Sequence, residues 1–112
     1  MTEFVLDNSI DEGGRSLYSQ WLHGLNDTRT KARISLQVDK MALNLFGDGR
    51  SIGNGLSELR IHFGSGYRVY FGKEGTQIIL LLCGDDKVSQ VQDIKQAKKY
   101  WENHKRRHNH DT

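Results

Sequence analysis

The run Glu58-Leu-Arg-Ile-His-Phe-Gly-Ser-Gly-Tyr-Arg-Val-Tyr-Phe71 constrains this chain most, because two alternating stretches flank Gly64-Ser65-Gly66 and so specify a β-hairpin. Side chains alternate sides along a strand, so Leu59, Ile61 and Phe63 take one face while Glu58, Arg60 and His62 take the other. The same parity separates Tyr67, Val69 and Phe71 from Arg68 and Tyr70. A three-residue loop would set His62 opposite Arg68 and Arg60 opposite Tyr70, gathering two guanidinium groups, an imidazole and a phenol on one solvent-facing patch. Two arginines this close repel unless an anion lies between them. Either a bound phosphate fills that role or Glu58 does, and in the second case the patch is a salt-bridged sheet surface of small energetic weight.

The rest of the chain supplies one domain around this hairpin. Residues 1–112 suffice for a single core and not for two. Residues 3–6 form a candidate edge strand, followed by a turn-rich segment through Gly14. From Arg15 the period becomes helical, with Leu17, Trp21 and Leu25 at four-residue spacing and Trp21 in the core. Asn26-Asp27-Thr28 breaks that helix and caps a second one, whose apolar stripe is Ile34, Val38, Met41 and Leu45. Glycines at 47, 49, 53 and 55 mark a loop holding one short strand. After the hairpin, the unbroken apolar run Ile78–Cys83 predicts a strand covered on both faces. Ser89 and Gln92 fit a capping box, and Val91, Ile94, Ala97 and Trp101 give a last helix its buried stripe. Residues 103–112 read as a flexible basic tail. The expected class is α+β: an N-terminal strand and a helical hairpin packed on a twisted antiparallel sheet, plus a C-terminal helix.

Charge is unevenly spread. The first 14 residues carry Glu3, Asp7, Asp11 and Glu12 and no basic residue, so a net charge of +2 leaves +6 on the remainder. Arg29, Lys31, Arg33 and Lys40 against Asp39 give +3 on the second helix, and cations in its first turns oppose the helix dipole. Lys95, Lys98, Lys99, Lys105, Arg106 and Arg107 against Glu102 give +5 near the C-terminus. Such segments suit a polyanion; they also suit an ordinary wet helix face.

Several chemistries find no pattern. Cys83 stands alone inside an apolar run, as a buried core residue would, and points to a reducing cytoplasm. No apolar stretch approaches the ~20 residues needed to span a bilayer, so no membrane is expected. His104, His108 and His110 lack partners at metal-binding spacing and read as solvated tail residues, and Gly47–Gly53 lacks the ending of a phosphate loop. No cofactor or metal is expected. What remains is Arg60, His62, Arg68 and Tyr70, with Lys87 near the patch rim if its strand lies beside Tyr67–Phe71. RNA carries its own nucleophile, the 2′-hydroxyl, so such a set can cleave it by aligning that group, stabilising charge on phosphorus and moving two protons. Arginine suits the charge role, and His62 or Tyr70 the proton transfer.

An ordered set of segments carries a resemblance over nearly the whole chain: Trp21-Leu22 with Leu25 and Asp27, Lys31-Ala-Arg-Ile34, Gly47-Asp48, Gly55–Ile61, Gly66–Phe71, Leu80–Leu82, Gly84–Lys87, Gln90, Asp93-Ile94, Ala97 and Trp101. Together they resemble the RelE/ParE superfamily of type II toxin–antitoxin toxins, and within it the HigB-like, phage-associated addiction-module killers. The resemblance implies a ribosome-dependent mRNA endoribonuclease that halts translation, held inactive by a cognate antitoxin, a helix-turn-helix DNA-binding protein encoded by an adjacent gene. It implies Arg60 and Arg68 at the phosphate with Lys87 nearby, and contacts to the ribosome and mRNA through Arg29, Lys31, Arg33, Arg50 and Lys98. ParE-like members of the same superfamily instead inhibit DNA gyrase without chemistry, and a plain nucleic-acid-binding module is a third possibility.

Overall fold

The computed structural model describes residues 3–10, 13–75, 78–86 and 90–110. Lys87 and Ser89 lie outside the described residues, as do the side chains of Val91, Gln92, Arg107, His108 and His110. Among the described residues the order is β1 (Val5–Asn8), α1 (Leu17–His23), α2 (Thr28–Met41), β2 (Asp48–Gly53), β3 (Leu56–Ile61), β4 (Tyr67–Glu74), β5 (Ile78–Asp86) and α3 (Gln90–His110). The strands form one sheet in the order β1-β5-β4-β3-β2. The α+β class is as expected.

Alternation along the strands gives the sheet two apolar faces. Leu59, Ile61, Val69, Phe71, Ile79 and Leu81 form one core with Tyr18 of α1 and Ile34, Val38 and Met41 of α2. Leu56, Tyr70, Leu80 and Leu82 form the other with Ala97 and Trp101 of α3. β5 is buried on both sides, as its unbroken apolar run requires, and Cys83 is buried within it. The starts of α1 and α2 are both capped, the second by the Asp27 that its sequence suggests. Ser16 accepts from the Ser19 N–H at 3.2 Å. Asp27 accepts from the Arg29 N–H at 3.1 Å and the Thr30 hydroxyl at 2.9 Å, setting a carboxylate among the cations of that first turn.

Three expectations need correction. The sheet is mixed, because β1 runs parallel to β5 from Val5↔Ile78 to Asn8↔Leu81. Short loops fix antiparallel neighbours but carry no information about a strand whose partner lies some seventy positions on. The short strand expected among the glycines is present as β2, and it pairs with β3 in a second hairpin turned at Asn54 and Gly55 with φ of 58° and 83°. Leu45 leaves the α2 stripe: Asn44 enters the left-handed region at φ 64°, its N–H donates to Met41 O, and the Leu45 N–H donates to Lys40 O, which ends the helix and leaves Leu45 exposed. Finally, α3 continues to His110 instead of releasing a tail at Asn103. Trp101 Nε1 donates to Asn54 O at 2.7 Å, Lys105 Nζ to the same oxygen at 3.4 Å, and His104 meets Glu74 at 3.0 Å while stacking on Trp101. His104 is therefore a packed residue, not a solvated one.

Burial raises the Tyr18 phenol to about 12, with the negative charge of Asp39 adding to the effect. A folded pKa above the unfolded value means stability complete below pH ~10 and lost as pH rises through the folded value. Tyr18→Phe is expected to flatten this alkaline loss, worth of order 2 kcal/mol. Denaturant midpoints for both proteins between pH 9 and 12 measure it; parallel curves would remove Tyr18 as the cause.

Candidate functional site

The α3 side of the sheet is only partly covered by α3. Toward the β3–β4 turn, strand register lays out two adjacent rows on this face: Arg50, Glu58, Tyr70 and Cys83, then Asp48, Arg60, Arg68 and Asp85. Arg60 thus stands opposite Arg68, and Tyr70 opposite Glu58. The expected three-residue loop is replaced by residues 62–66, closed by the Gly66 N–H on Phe63 O at 3.0 Å with Gly64 at φ 60°. His62 is therefore outside the ladder, beyond the last strand residue.

Asp85 reaches the second row through a β-bulge. Tyr70 pairs with Cys83 but Phe71 with Leu81, so Leu82 is an extra residue that inverts the alternation of β5. Beyond it, Gly84 turns to the α1 side beneath Trp21, and Asp85 turns to the arginines.

Three carboxylates hold the cations. Glu58, with no exposed surface, accepts from Arg50 Nε at 2.7 Å and lies 3.6 Å from Arg60 Nε. Asp85, also buried, accepts from Arg68 Nε at 3.1 Å and from the Tyr70 hydroxyl at 2.7 Å, while Arg68 Nη2 donates to Asp86 O at 3.1 Å. Asp48 and His62 meet at 2.6 Å, both exposed. The formal charges of the three arginines and three carboxylates cancel, but they are layered by depth. Arg50 and Arg60 are 54% and 39% exposed above a fully covered Glu58, and Asp48 is 48% exposed beside them while Arg68 is buried with Asp85, so the outward face carries two guanidinium groups to one carboxylate. One Glu58 oxygen, Oε2, is buried and has no hydrogen-bond partner among the described residues.

Two sequence expectations change in this light. Arg68 is buried, with a side chain only 6% exposed, so it is not a solvent-facing cation. Tyr70 is fully buried, and burial, then its hydrogen bond to Asp85, pushes the phenol far above its usual range. A phenol so placed does not accept a proton at neutral pH. Arg60 and His62 do reach the surface, where a groove of about 410 Å³ is lined by both, together with Gly64, Ser65, Tyr67 and one edge of Arg68.

The remaining candidates are scattered. The Arg33 guanidinium lies 5.2 Å from the Phe63 ring centroid, which brings the start of α2 against the hairpin loop. Arg29 is exposed and Lys31 half-buried on α2, Lys98 is exposed on α3, and none of them lines the groove. Among the described residues no group of three or more His, Cys, Asp or Glu is placed to hold a metal ion, and no helix is long and apolar enough to cross a membrane.

No protein-family model matches the chain. It is 43% identical over 81 residues to an uncharacterized protein of Haemophilus influenzae, an alignment spanning 72% of this chain and 82% of the relative. The two belong to one family. Membership in the family brings no reaction with it, since the relative is uncharacterized, and function must be argued from the site. Sequence reasoning missed Asp48 and Asp85 there. Asp48 is 14 positions from His62 and Asp85 is 17 from Arg68; the Asn54-Gly55 turn signal was the local clue, because it fixes the β2–β3 hairpin that carries Asp48 and Arg50 to the site.

Proposed function

We propose that this chain is the toxin of a type II toxin–antitoxin pair, a ribosome-dependent mRNA endoribonuclease that uses the 2′-hydroxyl of its substrate as nucleophile and acts in the cytoplasm. The observation that carries this reading is the placement of Arg60 beside His62 at an open groove, with Glu58 holding the Arg60 guanidinium from beneath. Arg60 supplies charge to the phosphate, His62 moves a proton, and Arg50, in the neighbouring row of the same face, adds a second exposed cation. Arg68 and Tyr70 serve as a braced floor through Asp85. The resemblance of the ordered segments to HigB-like killers supplies the ribosome, the antitoxin and the message as partners.

Incubation of the protein with translating ribosomes, followed by mapping of new 5′-hydroxyl ends on the message, tests the proposal. Arg60→Ala is expected to slow cleavage by ~10²–10³-fold with an unchanged fold, because a half-exposed side chain is removed and a transition-state cation is lost. An intact message together with inhibited DNA supercoiling would move the chain to the ParE-like, non-enzymatic class. An intact message and unaffected gyrase would leave a nucleic-acid-binding module.

A further inference from the structure

Asp48 opposes Arg60 in the β2–β3 register, and His62 lies two residues beyond Arg60, so Asp48 and His62 are diagonal neighbours on one face. Their contact, Asp48 Oδ2 to His62 Nε2, is 2.6 Å. An ionised carboxylate only accepts hydrogen bonds, so Nε2 must carry the proton. In the neutral ring, the basic lone pair is then on Nδ1. Asp48 is ionised at neutral pH: the hydrogen bond from His62 holds its carboxyl below the usual range, and the charges of Arg60 and Arg50 act in the same direction. Neither residue is needed by the cores, since both side chains are about half exposed or more. A short, fixed hydrogen bond between two side chains at so wet a place has little value for stability. It does have value for chemistry, because His62 lines the groove and a fixed tautomer presents one defined nitrogen there.

We infer that Asp48 is the positioning residue for His62, holding the imidazole as its Nε2–H tautomer so that Nδ1 serves as general base toward a ribose 2′-hydroxyl. The inference rests on the ribonuclease reading above. His62 Nδ1 takes the 2′-hydroxyl proton as the 2′-oxygen bonds to phosphorus. The bond from phosphorus to the 5′-oxygen breaks, its electron pair stays on that oxygen, and water protonates it. The imidazolium returns its proton to the resulting hydroxide. The products are a 2′,3′-cyclic phosphate and a 5′-hydroxyl end. The charges of His62, of Arg60 on β3 and of Arg50 on β2 act on Asp48, and Arg60 and Arg68 of β4 line the groove with His62, so Asp48 sets a carboxylate against the cations at this end of the sheet.

Two measurements separate this inference from the reading beneath it. Nitrogen NMR of the full chain without RNA should show His62 as the Nε2–H tautomer, and Asp48→Asn should mix the tautomers. Equal tautomer populations in the two proteins would overturn the positioning role whatever the protein's function. In the ribosome assay, Asp48→Asn should lower kcat by about 10²-fold with KM little changed and shift the acidic limb of the pH–rate profile, while Asp48→Glu restores part of the rate. Wild-type cleavage with an unaltered Asp48→Asn profile would overturn the inference and leave the ribonuclease standing. No cleavage by the wild type would overturn the ribonuclease itself, and the catalytic use of the pair with it.

Discussion

Arg68→Ala should destabilise the protein by ~3–5 kcal/mol, because it strips a buried carboxylate of its cation. Asp85 is 3% exposed, and Arg68 Nε lies 3.1 Å from it. Without the guanidinium, Asp85 keeps the Tyr70 hydroxyl but loses the charge and the hydrogen bond of Arg68 at a buried position. Urea denaturation measures the loss, and a change below ~1 kcal/mol would show that the pair is not buried in effect. Arg68→Ala combined with Asp85→Asn should recover a good part of it, since the amide oxygen still accepts from Tyr70 and carries no charge. A practical point follows for any toxicity assay. An inactive Arg68→Ala protein reports on folding first, whereas Arg60→Ala, at the half-exposed end of the same cross-strand pair, reports on the groove.

Gly84→Ala is expected to cost at least ~3 kcal/mol, at the upper end of overpacking effects. A Cβ at this position would stand 2.3 Å from two carbons of the Trp21 ring. The glycine is not needed for backbone conformation; it is needed because α1 lays an indole flat on β5. Trp21 also packs edge-on to Tyr67, so the ring cannot retreat without disturbing the strand that carries Arg68. The reading is a lowered denaturation midpoint with a shifted tryptophan emission. Pairing Gly84→Ala with Trp21→Leu should cost less than the two losses added, the sign of a shared contact. Strict additivity would disprove the clash. Gly72, 2.4 Å from Trp101 by the same construction, should behave alike on the opposite face.

The parts of this fold that lie in local sequence were legible. Alternation placed Arg60 and Arg68 on one face, Asp27 announced its cap, and an unbroken apolar run marked β5 as an interior strand. Register was not legible, because it depends on whether the chain leaves the ladder before or after His62, and Gly64-Ser65-Gly66 permits both. The bulge at Leu82 was hidden for a related reason: one extra residue reverses every later face assignment, and nothing in Leu80-Leu81-Leu82 marks which leucine is surplus. Simple alternation from Ile79 would have sent Asp85 to the α1 side, away from its arginine. The site's carboxylates went unseen because pairing partners of a sheet are neighbours only after the sheet exists. Glu58 alone lay close enough in sequence to be named as a counter-ion, and it does lie beside Arg60, though Arg50 holds it more closely.

The layering of Glu58 and Asp85 beneath the arginines has a bearing on how such a protein is stored. An ordinary basic patch is self-repelling until a polyanion or an acidic partner arrives, so its owner leans on that partner to stay folded. Here much of the counter-charge is internal, with Glu58 and Asp85 covered and the guanidinium groups of Arg50 and Arg60 outermost beside the exposed Asp48. Added salt can screen the outer layer and loosen its hold on an anion, yet it scarcely reaches the inner one. Folding and surface charge are thereby placed on separate electrical circuits, so the shape does not depend on an anion held outside.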